Sequence, residues 1–295
     1  SLKYFEGGYE ICKKIDYPKG LARSINNIGL VLEKKGNLSN ALEKHRESLK
    51  IREEIDDKSG MSISLHNIGI VLYTKGDLEG ALKKHHESLK IREEIGDKSG
   101  IAMSLSSIGI VLYTKGDLDV ALKKFKESLE INEEIGDKSM MAVSLNNIGL
   151  VLHAKGDLDG ALKKFKESLE INEEIGAKGG IATSLHNIGT VYLDHEDYNL
   201  ALFNLFQSKA LQNQMGIKEQ ETSDYIFKVC KELGRERFEA LENEVFNKLP
   251  DELKPFINTK EFLEDKTIHT IHKPNRNAPC SCGSGKKHKK CCGLS

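Results

Sequence analysis

The sequence predicts an all-α solenoid with a small metal-binding tail. Three observations carry this. Aligning SLHNIGIVLYTKGDLEGALKKHHESLKIREEIGDKSG from Ser64 with SLSSIGIVLYTKGDLDVALKKFKESLEINEEIGDKSM from Ser104 gives a period of 40, and the same register catches Ser24, Ser144 and Ser184. Within each period the apolar residues recur at helical spacing in two runs. Four of the six cysteines crowd into the last 16 residues. A fixed period of this length means stacked units, each burying its apolar face on its neighbours, so no single 295-residue core is required.

Each unit reads as two helices. In one unit Leu65, Ile68, Gly69 and Leu72 mark the first, and Leu82, Leu89, Ile91 and Ile95 the second. Gly76 can take the left-handed conformation that ends a helix, and Asp77 can cap the next. Gly96 and Asp97 repeat that stop-and-start signal. The small pair Gly69 and Ala81 lets the two helices approach closely. Residue 1 falls in register with Ala41, Ala81, Ala121, Ala161 and Ala201, so the chain starts on the second helix of a repeat. The expectation is a fragment of a longer protein. After about residue 222 the repeat decays, and SDYIFKVCKELGRERFEALENEVFNKL reads as two capping helices around Gly234. The expected organisation is a solenoid over residues 1–223 (a half repeat plus five full ones), a helical cap over 224–265, a polar linker over 266–275 and a metal-binding motif over 276–295. Cys12 and Cys230 fall among helical apolar residues and read as buried fillers.

These units resemble the tetratricopeptide repeat (TPR). Its order of Leu/Ile-Gly, an apolar or Tyr residue, Gly-Asp/Asn and Ala is met at Ile68-Gly69, Leu72, Gly76-Asp77 and Ala81. The ordinary repeat has about 34 residues. The longer units here are similar to those of LGN/Pins-type scaffolds and kinesin light chains, and many prokaryotic regulators carry such units too. The resemblance implies a right-handed superhelix whose first helices line a concave groove. His45, His85 and Leu205 depart from it, standing where the second helix usually has an aromatic, as at Phe125 and Phe165.

The tail reads CSCGSGKKHKKCC, with Cys280, Cys282, Cys291 and Cys292 spaced C-x-C-x8-C-C. Four thiolates brought to one point suit one closed, structural zinc ion and leave no open position for catalysis. The segment has almost no hydrophobic core, so metal would supply most of its folding energy. The alternative is two disulfides, which suit a secreted chain, and nothing else in the sequence looks secreted. Residues 273–293 resemble the SEC-C motif, the zinc-binding element at the C-terminus of the preprotein translocase ATPase SecA and on many other prokaryotic proteins, through RNAPC, CGSGKK and KKCCG. The resemblance implies that Cys280, Cys282, Cys291 and Cys292 are the ligands, with Cys292 where SecA-type tails often have His. His288 stands where an aromatic is usual. In SecA the element contacts a chaperone.

The charge is unevenly spread. His272–Ser295 holds six basic residues and no acid, while the remaining 38 basic and 45 acidic residues give −7. A bound zinc tetrathiolate leaves the tail near +4. Lys286, Lys287, Lys289 and Lys290 could meet nucleic acid, a ribosome or an acidic protein, or could simply be solvated. No secretory signal or membrane-spanning run lies within these 295 residues, and reduced cysteines in a zinc motif suggest the cytoplasm as the expected location.

Enzyme signatures fail. Gly283-Ser284-Gly285-Lys286 lacks the glycine spacing of a phosphate loop and has Lys287 where Ser or Thr should bind magnesium. His195-Glu196 has Asn199 where a metalloprotease helix needs its second His. The expectation is a non-catalytic scaffold that binds a peptide or partner protein. By helical spacing, Asn27, Asn67, Asn147 and Asn187 should line the groove with His66, His186, Tyr73, Tyr113, Ile70 and Ile110. An Asn amide can hold the peptide groups of a bound chain, and the alternative is that these amides bridge neighbouring helices. The groove lacks the Lys/Arg cluster of a carboxylate clamp. Two other readings stay open: a nucleic-acid- or ribosome-associated factor acting through the tail, and the regulatory C-terminal half of an enzyme or signalling protein.

Overall fold

The computed structural model describes residues 2–217, 220–258 and 262. Among the described residues every regular element is helical. The chain divides into two compact units, Ser1–Ile175 and Gly176–Ser295.

The first unit holds α1 (Leu2–Lys14), α2 (Pro18–Lys34), α3 (Leu38–Glu54), α4 (Lys58–Thr74), α5 (Leu78–Ile95), α6 (Lys98–Lys115), α7 (Leu118–Ile135), α8 (Lys138–Ala154) and α9 (Leu158–Glu174). The helices pack in chain order, with the closest pairs α2–α3, α4–α5, α6–α7 and α8–α9. Local chemistry sets the boundaries. Gly76 ends one helix at φ 82° and Gly96 another at φ 69°, a region that favours glycine. Asp77 Oδ1 accepts from the Gly80 N–H at 2.9 Å, and Asp97 Oδ1 from the Gly100 N–H at 3.0 Å. These caps satisfy amides that the helix itself leaves orphaned.

Packing follows one recurring slot. A Cβ on Gly29 or Gly69 would lie 2.6 and 2.5 Å from Cε1 of His45 and His85, and on Gly109 or Gly149 2.6 and 2.5 Å from Cε1 of Phe125 and Phe165. The first helix of each pair must therefore be bare where the second inserts a ring. Ala41, Ala81, Ala121 and Ala161, the small residues of the second helices, are fully buried. The apolar core between pairs is built from residues such as Ile68, Val71, Ile108, Val111, Ile148 and Val151.

A buried polar row runs beside this core. Oγ of Ser48, Ser88 and Ser128 donates to the carbonyl oxygens of Ala22, Ser62 and Ala102 at 2.8–2.9 Å. Arg92 Nη1 donates to Gly100 O at 2.7 Å and to Ser104 Oγ at 2.9 Å. Arg52 does the same to Gly60 O and Ser64 Oγ. In the following two pairs Asn132 and Asn172 take the arginine's place and bond within the row. Exposed ion pairs Lys58–Glu94, Lys98–Glu134 and Lys138–Glu174 recur along one edge, and such pairs contribute little each.

The second unit holds α10 (Lys178–Asp194), α11 (Tyr198–Gln214), α12 (Glu221–Leu233), α13 (Arg235–Lys248) and the 3-10 turn η1 (Lys254–Phe256). α10 and α11 repeat the slot with Leu205 beneath Gly189. α12 and α13 meet at Gly234, φ 75°. Their core joins Leu202, Phe206, Ile226, Val229, Phe238 and Val245. Phe262 is fully buried there, its ring centroid 5.3 Å from that of Phe227. Cys230 is also fully buried, and its thiol donates to Phe262 O at 3.7 Å. Burial raises its pKa, which keeps it an unreactive thiol. Cys12 is half-buried.

Candidate functional site

The first helices of the pairs in the first unit carry a row of solvent-facing apolar side chains. Ile63 on α4, Met103 on α6 and Val143 on α8 sit one period apart and are 42%, 37% and 43% exposed. Ile110 and Leu30 are exposed too, and Ile70, Tyr73 and Tyr113 are half-buried. No Lys, Arg, Asp or Glu occurs between Ser59 and Thr74, Ser99 and Thr114, or Ser139 and Ala154. The face is therefore apolar and polar-neutral over three consecutive repeats. Tyr73 reaches across it, its hydroxyl 3.0 Å from Thr114 Oγ1.

The asparagines differ among themselves. Asn67 is 7% exposed, and its Nδ2 donates to Asn26 Oδ1 at 3.0 Å. Asn26 Oδ1 also accepts from His45 Nδ1 at 2.9 Å. Asn147 is half-buried and donates to Ser106 Oγ at 3.4 Å. Asn27 is half-buried. These amides of Asn67 and Asn147 tie one repeat to the one before it. In the second unit Asn187 is buried, and His186 is half-buried with Nδ1 3.0 Å from Thr222 Oγ1 and its ring edge-on to Tyr225.

The histidines form the second chemical feature. His66 packs its ring against His85 at a centroid distance of 5.3 Å. Burial, reinforced by each other's charge and by Arg92, lowers His66 to about 3, and burial with Arg92 lowers His85 to about 4. Burial and then Arg52 lower His45 to about 4. All three are neutral imidazoles at pH 7. Burial raises the Glu33 carboxyl beside His45. The spacing of the sequence did not single out Arg52, Arg92 or His45 as a group. The available signal was a charged residue recurring one period apart amid the apolar positions of a second helix.

His195 and Glu196 follow α10 in a turn with Glu196 at φ 59°, so no metalloprotease helix exists there. Among the described residues no three His, Cys, Asp or Glu side chains are placed to hold a metal ion, and no helix is long and apolar enough to cross a membrane. Cys280, Cys282, Cys291 and Cys292, with Lys286, Lys287, Lys289 and Lys290, lie outside the described residues. As a donor set, four thiols with no carboxylate in the last 24 residues fit zinc rather than a hard cation.

Comparison with known proteins agrees with this architecture. Tetratricopeptide repeat profiles match residues 60–134 and 140–214, with a further one over 21–55. The SEC-C motif profile matches residues 276–294. Protein translocase subunit SecA of Syntrophomonas wolfei is 52% identical over 44 residues, which is 15% of this chain and 5% of the relative. That of a Sulfurovum species is 37% identical over 81 residues, 26% of this chain and 8% of the relative. The chain thus spans less than a tenth of either curated relative. Among solved structures, BtubC (BKLC) from P. vanneervenii superposes with a TM-score of 0.64 at 18% identity, covering 73% of this chain and 91% of that one. The apo form of RapI gives 0.62 at 18% identity, covering 81% and 67%. At these identities the likeness concerns the fold alone. Repeat period, helix pairing and matched profiles together place the chain in the tetratricopeptide repeat family, with a SEC-C motif at its C-terminal end.

Proposed function

We propose that this chain is a non-catalytic interaction module that holds a peptide or partner protein along the face of α2, α4, α6 and α8. The observation that carries the reading is the exposed row Ile63, Met103 and Val143 on the first helices of three consecutive repeats, in stretches (59–74, 99–114 and 139–154) that hold no Lys, Arg, Asp or Glu. Apolar side chains left in water at a regular period suit a ligand that brings its own apolar side chains. Ile70, Ile110, Tyr73 and Tyr113 extend the same surface. Asn27, Asn67, Asn147 and His66 set its floor, and His186 and Asn187 hold the equivalent positions in the second unit.

The domain organisation we propose is a solenoid over 1–223, a cap over 224–265, a linker over 266–275 and a zinc knuckle over 276–295. Cys280, Cys282, Cys291 and Cys292 hold one structural zinc ion, and thiols that must stay reduced to bind it suit the cytoplasm. The test is a double substitution, Met103→Glu with Val143→Glu. Both sites are exposed, so the fold should survive while a partner that co-purifies with the wild type is lost. Retention of that partner at wild-type level would overturn the reading.

The six positive charges without an acid in the last 24 residues favour a second reading, in which the tail binds a polyanion. Phosphate contacts release counterions, so that binding would weaken steeply with salt and vanish when Lys286, Lys287, Lys289 and Lys290 become Gln. A partner held by the apolar face would be nearly indifferent to both changes.

A further inference from the structure

The first two complete repeats differ from the next two in one concerted way. Where the second helix carries a histidine beneath the glycine, at His45 and His85, it carries an arginine seven residues later, at Arg52 and Arg92. Where it carries Phe125 and Phe165, it carries Asn132 and Asn172. The same slot is thus filled by a titratable ring next to a fixed cation in α2–α5, and by a hydrocarbon ring next to a neutral amide in α6–α9.

The surroundings offer a protonated His66 or His85 no acid, and a protonated His45 only Glu33, 3.9 Å away. His45 is fully buried and His85 is 2% exposed. His45 Nε2, His66 Nδ1 and His85 Nδ1 are buried without a hydrogen-bond partner. The rings of His45 and His85 fill the space that a Cβ on Gly29 or Gly69 would need. Arg92 is held by Gly100 O and Ser104 Oγ, and Arg52 is held alike. A buried charge without a partner is among the most destabilising groups a fold can hold. We propose that α2–α5 form an acid-opened segment: proton uptake by His45, His66 and His85 undoes the packing of these two repeats while α6–α9 remain folded.

The groups facing these rings are few. His45 meets Asn26 and Glu33 from α2 and Arg52 from its own helix. His66 meets His85 and Arg92 from α5, and His85 has Arg92 and His86 on its own helix. Between residues 59 and 74 of α4 the ionisable side chains are His66 and Tyr73, and between 99 and 114 of α6 only Tyr113. Glu33 is the acid beside a ring, while Asp57 and Asp97 face Arg52 and Arg92. Glu33 Oε2 stands 3.9 Å from His45 Nε2, beyond hydrogen-bonding distance. Its raised pKa means that it takes up a proton more readily folded than unfolded, so it opposes opening as the pH falls.

The histidines work the other way. Each is held below its ordinary value of 6.5, so the stability it contributes is complete above 6.5 and is lost as pH falls from there toward 4. At pH 5 each one released to water favours the open segment by about 20-fold relative to pH 7, and by somewhat more relative to pH 7.5. Solenoids open locally, so the effect stays in the repeats that contain them.

Amide exchange read by mass spectrometry on the full chain at pH 7.5 and 5, corrected for the intrinsic pH dependence of exchange, tests this without any ligand. Protection over residues 18–95 should fall by about 30-fold or more at pH 5, while residues 98–174 change by less than about threefold. His45→Phe with His66→Asn and His85→Phe copies Phe125, Phe165 and Asn146 into the first two repeats and should remove the difference. The reverse graft, Phe165→His with Asn172→Arg, recreates the first repeat beside Asn146 and should make residues 138–174 acid-sensitive. Equal loss over both segments, full protection of 18–95 at pH 5, or a reverse graft that changes nothing would each overturn the proposal. The readout is the chain's own structure, so it stands or falls separately from the partner reading above.

Discussion

A Cβ placed on Gly149 would stand 2.5 Å from Cε1 of Phe165. Phe165 is fully buried, and its ring has no flexible end to move aside. Gly149→Ala should therefore cost about 1–3 kcal/mol by overpacking. A urea or thermal melt followed by circular dichroism reads this directly. A midpoint equal to the wild type would mean that the helices are free to separate at this slot.

Ser128 and Leu145 separate two kinds of cohesion. Ser128→Ala leaves the Ala102 carbonyl without its 2.9 Å donor, a loss of about 0.5–1.5 kcal/mol. Leu145 is 5% exposed, and Leu145→Ala removes core volume at about 2–5 kcal/mol. The order of the two melts is the test. A serine variant as damaging as the leucine one would show that the buried polar row, not the apolar core, sets the stability.

Asn67→Ala and Asn147→Ala should differ. Asn67 is buried in a 3.0 Å bond to Asn26, so its loss should cost about 0.5–1.5 kcal/mol. Asn147 is half-buried in a longer 3.4 Å contact, and its loss should stay within about 0.5 kcal/mol. Equal melts would remove the distinction between a repeat-bridging amide and a surface one.

These asparagines show what the sequence can and cannot carry. The 40-residue period, the Gly76–Asp77 punctuation and the Gly–Ala pairs were legible because each is a local signal, repeated. The partner of Asn67 was not, because Asn26 lies 41 residues away and helical spacing alone does not separate a bridging amide from a ligand-facing one. The buried row of Ser48, Ser88, Arg52 and Arg92 was missed for the same reason. Polar residues in a second helix read as surface until a carbonyl 26 residues upstream, or 8 downstream, is placed against them. Phe262 lies in a short stretch of mixed apolar and charged residues after two prolines, and its local pattern does not announce burial against Phe227.

The zinc reading is checked by metal content. Reduced, tag-free protein should carry one zinc per chain, and Cys280→Ser with Cys282→Ser should abolish it. Chelation should release that zinc and leave the helical circular dichroism of the repeats unchanged, because repeat stability is local. Less than stoichiometric zinc in the wild type, or loss of helix on chelation, would contradict it.

The most direct test of the account is where a partner touches the chain. A photoreactive amino acid is placed in cells at Met103, on the proposed binding face, and at Lys126, on the second helix of the same repeat. Crosslinked products are then identified by mass spectrometry. The account predicts a discrete protein adduct from position 103, lost when Val143 is also changed to Glu, and none from position 126. Adducts from 126 alone, or adducts at 103 that ignore Val143→Glu, would contradict it.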